Sequence, residues 1–448
     1  MSQREMIAKI ARRVHDLGGR ALLVGGCVRD ELLGIPCYDI DCEIHGIEPE
    51  TLKELLMQIG GIDESGTRYG IYTIRDTGLD IALPRREICT GPSHKDFEVH
   101  VDPFLSPEAA AARRDFTVNA IMRDALTGKY VDPYGGMEDV KNGVLRAVPG
   151  GQFEEDSLRV LRGAQFAARF HLTPDEKTIE SMRRMDICSL SAARVFVEMK
   201  KALLMADEPD VFFRVLEKAD ALKYWFPELE ALRKTPQNPQ YHPEGDAFEH
   251  TMMVLRAAAQ VKQQAKDQLA FMLAALCHDL GKAVSTKKND KGAWASIGHE
   301  NTGAPLCERM LSRLGVSKSV IGYVQNMCAL HMRVHTCYYG KARVSRTNVL
   351  FDESTAADEL AWLVVCDTRG TGKPRKYADE EQAFIFKRLE EYEQIIASGM
   401  PDAKMLMARG VAPGPQLKKA LAYARKQVLC GKAVERACEQ AVKAFATE

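Results

Sequence analysis

Apolar residues in the first 60 positions follow a helical period on either side of a short uninterrupted run. Five of them mark one helix face between residues 5 and 17, namely Ile7, Ile10, Ala11, Val14 and Leu17. The run at 22–24 predicts a buried strand, and a short helix is predicted over 28–33. The spacing within 50–60 predicts a further amphipathic helix.

The apolar pattern changes twice more along the chain. Alternation across 70–83 predicts strands, whereas residues 88–108 are polar and irregular and predict a mobile loop containing His94, Lys95, Asp96 and His100. The mixture of helix and strand ends near residue 148, and from about 153 the spacing is helical almost to the end. The predicted fold class is α+β, with a mixed sheet and helices first and an all-α remainder.

Length and charge limit the classes of function. A chain of 448 residues with 46% hydrophobic residues predicts several modules with real cores. Lys and Arg number 61 and Asp and Glu 62, which excludes binding of nucleic acid by bulk charge but allows a local basic stripe. The twelve cysteines form no Cys-x-x-Cys pair, so a reducing cytoplasm is expected. The N-terminus lacks a secretion signal and no apolar stretch is long enough for a membrane span.

The stretch 22–41 contains the first candidate chemistry. Gly25 and Gly26 follow the buried strand and allow a phosphate to approach the backbone, and Arg29 follows in the short helix. Asp39 and Asp41 are predicted on the next strand, where residues two apart point to one side and can hold a divalent cation. Each piece alone also fits an ordinary turn or a solvated loop, but their order favours phosphoryl or nucleotidyl transfer.

Two further groups extend this candidate site. Asp80 is either a third carboxylate or a turn residue after Gly78, and its sequence context leaves both open. Residues 113–120 contain two arginines followed by Asp115 and Asn119, a set able to grip a triphosphate and a ribose hydroxyl. The alternative is the solvated start of a helix.

Asp156, Arg159 and Arg162 recur at three-residue steps, which predicts that they share one helix face. An aspartate accepts hydrogen bonds and an arginine donates them, so the pair can present a base-pair-like edge to a nucleobase. An ordinary ion pair within the helix is the alternative.

A second catalytic-looking set lies between 250 and 367. It contains imidazoles and carboxylates, the favoured ligands of a metal site: His250, His278, Asp279, His299, His331 and Asp367. The dipeptide 278–279 follows an apolar helix predicted at 271–277. A lone histidine there would more often be a core residue, but the number of candidate ligands favours a metal.

Basic residues recur after position 370 and predict either a face for an RNA backbone or solvated helix faces. They are Lys373, Arg375, Lys376, Lys387, Arg388, Lys418, Lys419, Arg425, Lys426, Lys432 and Arg436.

With these residues in place, the chain resembles the bacterial tRNA nucleotidyltransferase and poly(A) polymerase family. It is similar to class II CCA-adding enzymes that contain an HD domain. The resemblance covers nearly the whole chain and rests on ordered motifs at 25–30 with 39–41, 113–120, 132–136 and 155–162, and on the HD pattern with 241–244 before it.

The resemblance implies the role of each site residue. Asp39 and Asp41 would bind Mg²⁺, with Asp80 as a third carboxylate. The residues implied for nucleotide binding are Gly26, Arg29, Arg114, Asp115, Asn119, Asp156, Arg159 and Arg162. The ligands implied for an unidentified divalent transition metal at the HD site are His250, His278, Asp279, His299, His331 and Asp367. Many relatives have Arg where this chain has Gln165, which leaves one nucleotide contact open.

The resemblance also implies partners and domains. CTP, ATP and the acceptor end of tRNA are the expected partners, with no membrane partner and a cytoplasmic location. The expected parts are a nucleotidyltransferase head (1–148), a helical neck that binds RNA and base (149–240), an HD phosphohydrolase domain (241–370) and a helical tail that contacts tRNA (371–448). Addition of poly(A), of CC or of A alone remains an alternative, as does an RNA-binding protein in which only the HD hydrolase works.

Overall fold

The computed structural model describes residues 2–37, 39–89, 97–150, 152–372 and 376–445. These residues form two compact units. The first comprises Met1–Ala206 with Val211–Tyr224, and the second comprises Asp207–Asp210 with Trp225–Glu448. The predictions for His94, Lys95, Asp96, Lys373 and Arg375 lie outside the described residues.

Strands and helices alternate in the first half of the first unit. Its strands are β1 (Arg20–Val24), β2 (Asp41–His45), β3 (Ile62–Asp63), β4 (Ile71–Ile74), β5 (Leu79–Ala82), β6 (Arg85–Cys89), β7 (Phe97–Val101), β8 (Met122–Asp124), β9 (Tyr130–Val131), β10 (Val144–Leu145) and β11 (Thr173–Pro174). Its helices are α1 (Gln3–Asp16), α2 (Gly26–Leu32), α3 (Pro49–Ile59), α4 (Pro107–Ala111), α5 (Gly136–Asn142), α6 (Leu158–Phe170), α7 (Glu176–Arg184), α8 (Ala192–Met205), α9 (Asp210–Lys218) and α10 (Leu222–Trp225). Asp210 at the start of α9 and Trp225 at the end of α10 are assigned to the second unit.

One mixed sheet organises this unit. Within the described ranges its strand order is β3-β4-β5-β2-β1-β8-β9. The pairing of β2 with β5 is parallel, and the other pairs are antiparallel. β1 lies inside the sheet and is buried over most of its length, as its apolar run predicts. The predicted α+β fold class is confirmed.

Apolar side chains cover both faces of the sheet. On one side α1 and α3 pack against it through a core that includes Met6, Ile10, Ile44, Leu52 and Ile81. A second core, containing Leu22, Val24, Ala111, Ala120 and Met122, covers the other. The start of α1 is fixed by a capping box, in which the side chains of Ser2 and Glu5 each accept a hydrogen bond from the other residue's backbone amide.

Two local predictions were wrong. Asp39 precedes β2, which begins at Asp41, because the register of β1 against β2 ends with Val24 opposite Asp41. Gly25 then turns the chain into α2, so β1 offers no partner for Asp39. The stretch 88–108 is not irregular throughout, since β6 and β7 pair as an antiparallel hairpin.

The second unit is helical, as the spacing predicts. Its helices are α11 (Pro227–Leu232), α12 (Ala247–Ala259), α13 (Gln268–Cys277), α14 (Lys282–Ser285), α15 (His299–Arg313), α16 (Lys318–Tyr339), α17 (Val344–Glu353), α18 (Ala357–Arg369), α19 (Ala378–Ala397), α20 (Ala403–Met407), α21 (Pro415–Leu429) and α22 (Val434–Phe445). The short strands β12 (Lys287–Lys288) and β13 (Trp294–Ala295) form a small hairpin between α14 and α15.

The core of the second unit surrounds α13, which is buried continuously from Ala270 to Cys277. The last three helices share a smaller core of their own, which includes Leu406, Val411, Ala420 and Cys438. Across the described parts of the chain, no helix has both the length and the apolar character needed to cross a membrane.

Candidate functional site

Three aspartates meet at one end of the sheet in the first unit. The parallel pairing of β2 and β5 sets Asp41 directly beside Asp80. Thr73 Oγ1 on β4 donates to Asp80 Oδ1 at 2.5 Å. Asp39 lies two residues before Asp41, so the three carboxylates approach the same edge although only two of them are on strands.

The charges of these aspartates act on one another. The pKa of Asp41 is raised by partial loss of hydration and then by the neighbouring Asp39 carboxylate, while the Arg114 guanidinium opposes the change. Like charges that lie close together favour a proton or a cation between them. Among the described residues, the groups of three ligands already within 4.8 Å of one another do not include these aspartates. Oxygen ligands of this kind suit Mg²⁺, which also keeps several waters.

Gly25 is the residue on which the approach of Arg114 depends. Its φ of +73° belongs to the left-handed region, which glycine adopts readily. A Cβ at this position would lie 2.8 Å from Arg114 Nη1 and 3.7 Å from Asp41 Oδ2. The absence of a side chain therefore leaves room for a guanidinium beside the carboxylate, at the point where α2 begins.

Sequence reasoning missed Glu43, which is 2% exposed on β2. Its carboxylate lies 2.9 Å from His45 Nε2 and 3.4 Å from Arg113 Nη2. Burial alone would raise its pKa, but the hydrogen bond from His45 and the guanidiniums of Arg114 and Arg113 outweigh burial and lower the pKa to about 2. The signal was available, because Glu43 follows Asp41 by two residues on the same strand.

The predicted triphosphate and ribose residues form a buried network. Arg29 donates to Asn119 Oδ1 at 2.7 Å and to Asp30 Oδ1, and its guanidinium lies 4.1 Å from the centre of the Phe170 ring. Asn119 in turn donates to Asp115 Oδ1 at 2.8 Å. Arg29 thus links α2 to the turn that contains Asn119.

The same network reaches α6 through Asp115. Arg162 donates to Asp115 Oδ2 from both Nε and Nη2, at 2.8 and 2.7 Å. Burial would raise the pKa of Asp115, but Arg162 and Asn119 outweigh burial and lower it. The two predicted nucleotide motifs are therefore joined by a direct ion pair.

The structure corrects the prediction that Asp156 shares a helix face with Arg159 and Arg162. Asp156 lies before α6, and its Oδ1 accepts a hydrogen bond from Leu158 N at 3.0 Å. Aspartate favours this position because its carboxylate satisfies a free amide at the helix start. Arg159 is on the helix and donates to the carbonyls of Gln152 and Arg113.

Gln165 lies inside α6 and is 1% exposed. In the orientation of its side-chain amide that pairs the oxygen with donors, this oxygen accepts hydrogen bonds from Arg169 Nη1 at 3.0 Å and Nε at 3.3 Å. Gln165 therefore holds Arg169, a neighbouring arginine on the same helix.

All six predicted metal ligands of the second unit come together. Four of them are histidines whose Nδ1 lies 2.7–2.9 Å from a backbone carbonyl. A carbonyl only accepts, so each Nδ1 carries the hydrogen and each Nε2 points inward. The four residues are His250, His278, His299 and His331. This orientation of the rings is the usual one for histidine ligands of metals.

The inward nitrogens surround Asp279. His299 Nε2 lies 3.0 Å from Asp279 Oδ1, and His278 Nε2 lies 3.2 Å from Asp279 Oδ2. His250 Nε2 lies 3.0 Å from Asp367 Oδ1 and 3.4 Å from Asp279 Oδ2. His278 Nε2 is buried without a hydrogen bond, which a bound cation would explain. The set fits a divalent transition metal, because imidazole and carboxylate are its usual ligands.

Two triads of ligands share Asp279, one with His250 and His278 and the other with His299 and His331. Burial, together with the neighbouring imidazoles of His278 and His299, lowers the pKa of His331 to about 3. For Asp279, burial is outweighed by His278 and Lys282, which hold its pKa well below the usual range. A neutral imidazole and an ionised carboxylate are the forms that bind metals.

Lys282 and Gly281 complete this centre and were not predicted. Lys282 Nζ lies 2.6 Å from Asp279 Oδ2 and donates to Gln237 Oε1 at 2.8 Å. A Cβ on Gly281 would lie 2.0 Å from the carbonyl oxygen of His299. The glycine thus allows the turn after Asp279 to pack directly on the start of α15.

The basic residues of the last helices differ in their surroundings. Arg425 forms an ion pair with Asp352 at 2.5 Å, and Arg388 forms one with Glu391 at 2.7 Å. Those two arginines therefore stabilise the helices. Lys418, Lys419 and Lys426 of α21 are exposed.

Comparison with known proteins identifies the family to which the chain belongs. The chain matches the family described as the Poly A polymerase head domain over residues 21–146, the probable RNA and SrmB-binding site of polymerase A over 171–232, and the HD domain over 247–353. It is 36% identical over 362 residues to the Multifunctional CCA protein of Pasteurella multocida, covering 78% of this chain and 83% of that protein. It is 33% identical to the one from Tolumonas auensis, covering 91% and 98%.

Solved structures share the fold at lower identity. A CCA-adding enzyme in its apo form II superposes with a TM-score of 0.67 at 18% identity, covering 98% of this chain and 95% of the other. The Thermotoga maritima CCA-adding enzyme complexed with tRNA_CCA gives 0.65 at 18% identity, with the same coverage.

Proposed function

The chain belongs to the family of multifunctional CCA proteins, and from this membership we propose that it adds CCA to the 3′ end of tRNA from CTP and ATP. The observation that carries the proposal is the strand register that sets Asp41 beside Asp80, next to the Gly25 turn and Arg114. Binding of a negatively charged triphosphate at this edge needs a divalent cation held by carboxylates and a cationic side chain. Asp41 and Asp80 could hold the cation, and Arg114 is the cationic side chain.

In this proposal Asp39, Asp41 and Asp80 hold Mg²⁺. When bound there, the ion would activate the 3′-hydroxyl of the tRNA and would neutralise charge on the triphosphate. Arg114, whose guanidinium acts to lower the pKa of Asp41, is assigned to the triphosphate. The turn at Gly26 leaves backbone room for a phosphate, and the network of Arg29, Asp115 and Asn119 fixes the position of the ribose.

Asp156, Arg159 and Arg162 are assigned to recognition of the base edge. A site built to hydrogen-bond a base rejects a wrong base strongly, because its own polar groups would otherwise remain unpaired. Arg159 already uses two donors on carbonyls of its own chain. Selection by side chains needs no nucleic-acid template.

The second activity that we propose is hydrolysis of phosphomonoesters and 2′,3′-cyclic phosphates at the HD centre. A divalent transition metal held by His250, His278, Asp279 and Asp367, with His299 and His331 for a second ion, would supply an activated water. Lys282 Nζ lies 2.6 Å from Asp279 Oδ2 at the same place.

The predicted four parts and the cytoplasmic location belong to the same proposal. The head (1–148) would transfer the nucleotide, the neck (149–240) would select the base, and the tail (371–448) would contact tRNA. The cytoplasm is where tRNA and both nucleoside triphosphates are found.

Incubation of the full-length protein with tRNA lacking its last three nucleotides, CTP and ATP tests the proposal. We expect three additions, ending in A. Asp41→Asn should lower incorporation by on the order of 10²–10³-fold, because a charge that faces the reacting phosphates is lost. Its phosphatase activity should remain. Asp279→Asn should lose the phosphatase and retain incorporation.

Asp76→Asn, in the exposed turn between β4 and β5, is the matched control and should change neither activity. A long A tail on the wild-type product would support a poly(A) polymerase instead. Absence of incorporation with the phosphatase intact would leave the HD centre as the working site.

A further inference from the structure

Asp367 is the last of the proposed HD ligands, and its two carboxylate oxygens contact different histidines. Oδ1 lies 3.0 Å from His250 Nε2, on the side of the metal ligands. Oδ2 lies 2.8 Å from Nε2 of His335. His335 is on α16, one turn after the proposed ligand His331, and both of its ring nitrogens lie on carboxylates, Nε2 on Asp367 and Nδ1 on Glu381. It is therefore a neighbour of the centre rather than one of its ligands.

His335 is fixed by Glu381 of α19. Nδ1 of His335 lies 2.7 Å from Glu381 Oε1, and Thr368 Oγ1 donates to Glu381 Oε2 at 3.0 Å. Glu381 is 1% exposed and His335 is 5% exposed. A buried carboxylate is costly unless donors satisfy it, and here each of its oxygens has a donor. Because both of its oxygens already accept hydrogen bonds inside the protein, we do not expect Glu381 to bind solvent or substrate.

The contacts form a chain from Glu381 through His335 to Asp367. Outer partners of this type orient metal ligands, and their loss commonly weakens metal binding. We propose that Glu381 and His335 are positioning residues of the HD centre, which hold Asp367 so that Oδ1 alone is offered to a divalent metal. This inference rests on the proposed function of the HD centre.

The consequence is that the HD centre extends into α19. That helix lies beyond residue 353, where the match to the HD domain ends, and beyond residue 370, where the sequence placed the start of the tail. Loss of Glu381 should therefore affect the HD centre and not nucleotide addition.

The test measures binding of Ni²⁺ alone by calorimetry to full-length protein stripped of metal, in an Asp41→Asn background that weakens the other ion site. Nickel is used because imidazole suits it. Glu381→Gln should weaken Ni²⁺ binding by about 10- to 100-fold. Glu390→Gln, exposed on the same helix, should bind as the parent does.

A coupled pair of substitutions separates positioning from general destabilisation. If the chain of contacts acts as a unit, Glu381→Gln added to His335→Ala should weaken binding no further than His335→Ala alone. Additive losses would overturn the proposal, as would unchanged Ni²⁺ affinity in Glu381→Gln.

Thr368 provides a milder variant should Glu381→Gln unfold. Thr368→Val removes a donor to Glu381 and should weaken Ni²⁺ binding several-fold, whereas Thr368→Ser keeps the hydroxyl and should restore it. Equal affinities in these two variants would also overturn the proposal. If Asp279→Asn binds Ni²⁺ as tightly as its parent, the metal is not at the HD centre and the proposed function itself fails.

Discussion

At the scale of single residues, neighbouring groups outweigh burial and lower the pKa of three buried carboxylates, those of Glu43, Asp115 and Asp279. Glu43 is the clearest case, because it is buried under the nucleotide-transfer edge yet ionised by His45, Arg113 and Arg114. A buried carboxylate of this kind stabilises the fold only while it is charged. Stability of the first unit should therefore depend on pH through this residue.

We expect Glu43→Gln to destabilise the first unit at pH 7 by up to about 3 kcal/mol, the free energy of a pKa lowered from 4.5 to about 2. Because the folded-state pKa is depressed, this stabilisation is complete above about pH 4.5 and is lost as the pH falls through about 2. Wild type and variant should thus converge in acid.

Hydrogen exchange in urea, read on peptides of the first unit by mass spectrometry, measures this difference at pH 7, 5 and 3. Tryptophan fluorescence would not serve, because Trp225, Trp294 and Trp362 all belong to the second unit. Glu54→Gln on the exposed side of α3 is the control. A gap between wild type and Glu43→Gln that is the same at pH 3 as at pH 7 would contradict the assignment.

At the scale of elements, close backbone packing places the histidines. α15 begins at His299, and its first turn lies against Gly281, where an added Cβ would also be 2.6 Å from Gly303 N. Backbone atoms cannot yield as a flexible side chain does. The start of α15, and with it His299, is therefore positioned by the lack of a side chain in the preceding turn.

Gly281→Ala should displace the start of α15, destabilise the second unit by about 1–3 kcal/mol through overpacking, and weaken metal binding at the HD centre. Metal content after dialysis and the melting temperature report these effects, with CTP incorporation unchanged. Gly322→Ala is the matched control, because Gly322 lies in α16 with open space around its Cβ position and alanine favours a helix. Equal metal content in the two variants would argue against this role of Gly281.

The sequence predicted elements whose signals are local. The run 22–24 and the glycines after it were sufficient for β1 and α2. The six candidate metal ligands, which the structure brings together, were singled out because their residue types are distinctive. Asp39 was wrongly predicted to be on β2. The start of β2 depends on where its partner β1 ends, and the residues around Asp39 do not reveal that. Glu381 was missed because it follows Asp379 and Glu380 at a helix start, where acidic residues are ordinary, and its partner His335 lies on another helix.

At the scale of the whole molecule, charge is balanced overall and uneven locally. A net charge of −1 gives no general attraction to RNA. Arg425 and Arg388 are occupied by ion pairs, whereas Lys418, Lys419 and Lys426 are exposed on α21. The proposed contact of the tail with tRNA depends on exposed lysines such as these.

Replacement of Lys418, Lys419 and Lys426 by alanine should weaken tRNA binding and flatten its dependence on salt. Each lysine that contacts a phosphate contributes about 0.9 to the slope of log affinity against log salt. Affinity measured from about 50 to 200 mM KCl gives that slope. The matched triple variant at Lys9, Arg12 and Arg13 of α1 should keep the wild-type slope, and equal slopes in both triple variants would contradict a tail contact.

The parallel pairing of β2 with β5 also affects how the first unit folds. Asp41 and Asp80 become neighbours only when a long loop closes, so the carboxylate edge does not exist in a partly folded head. Bringing these like charges together opposes closure, and any cation held between them binds the folded chain alone. Magnesium at the concentration present during synthesis would then act on the yield of native protein as well as on its catalysis, by mass action.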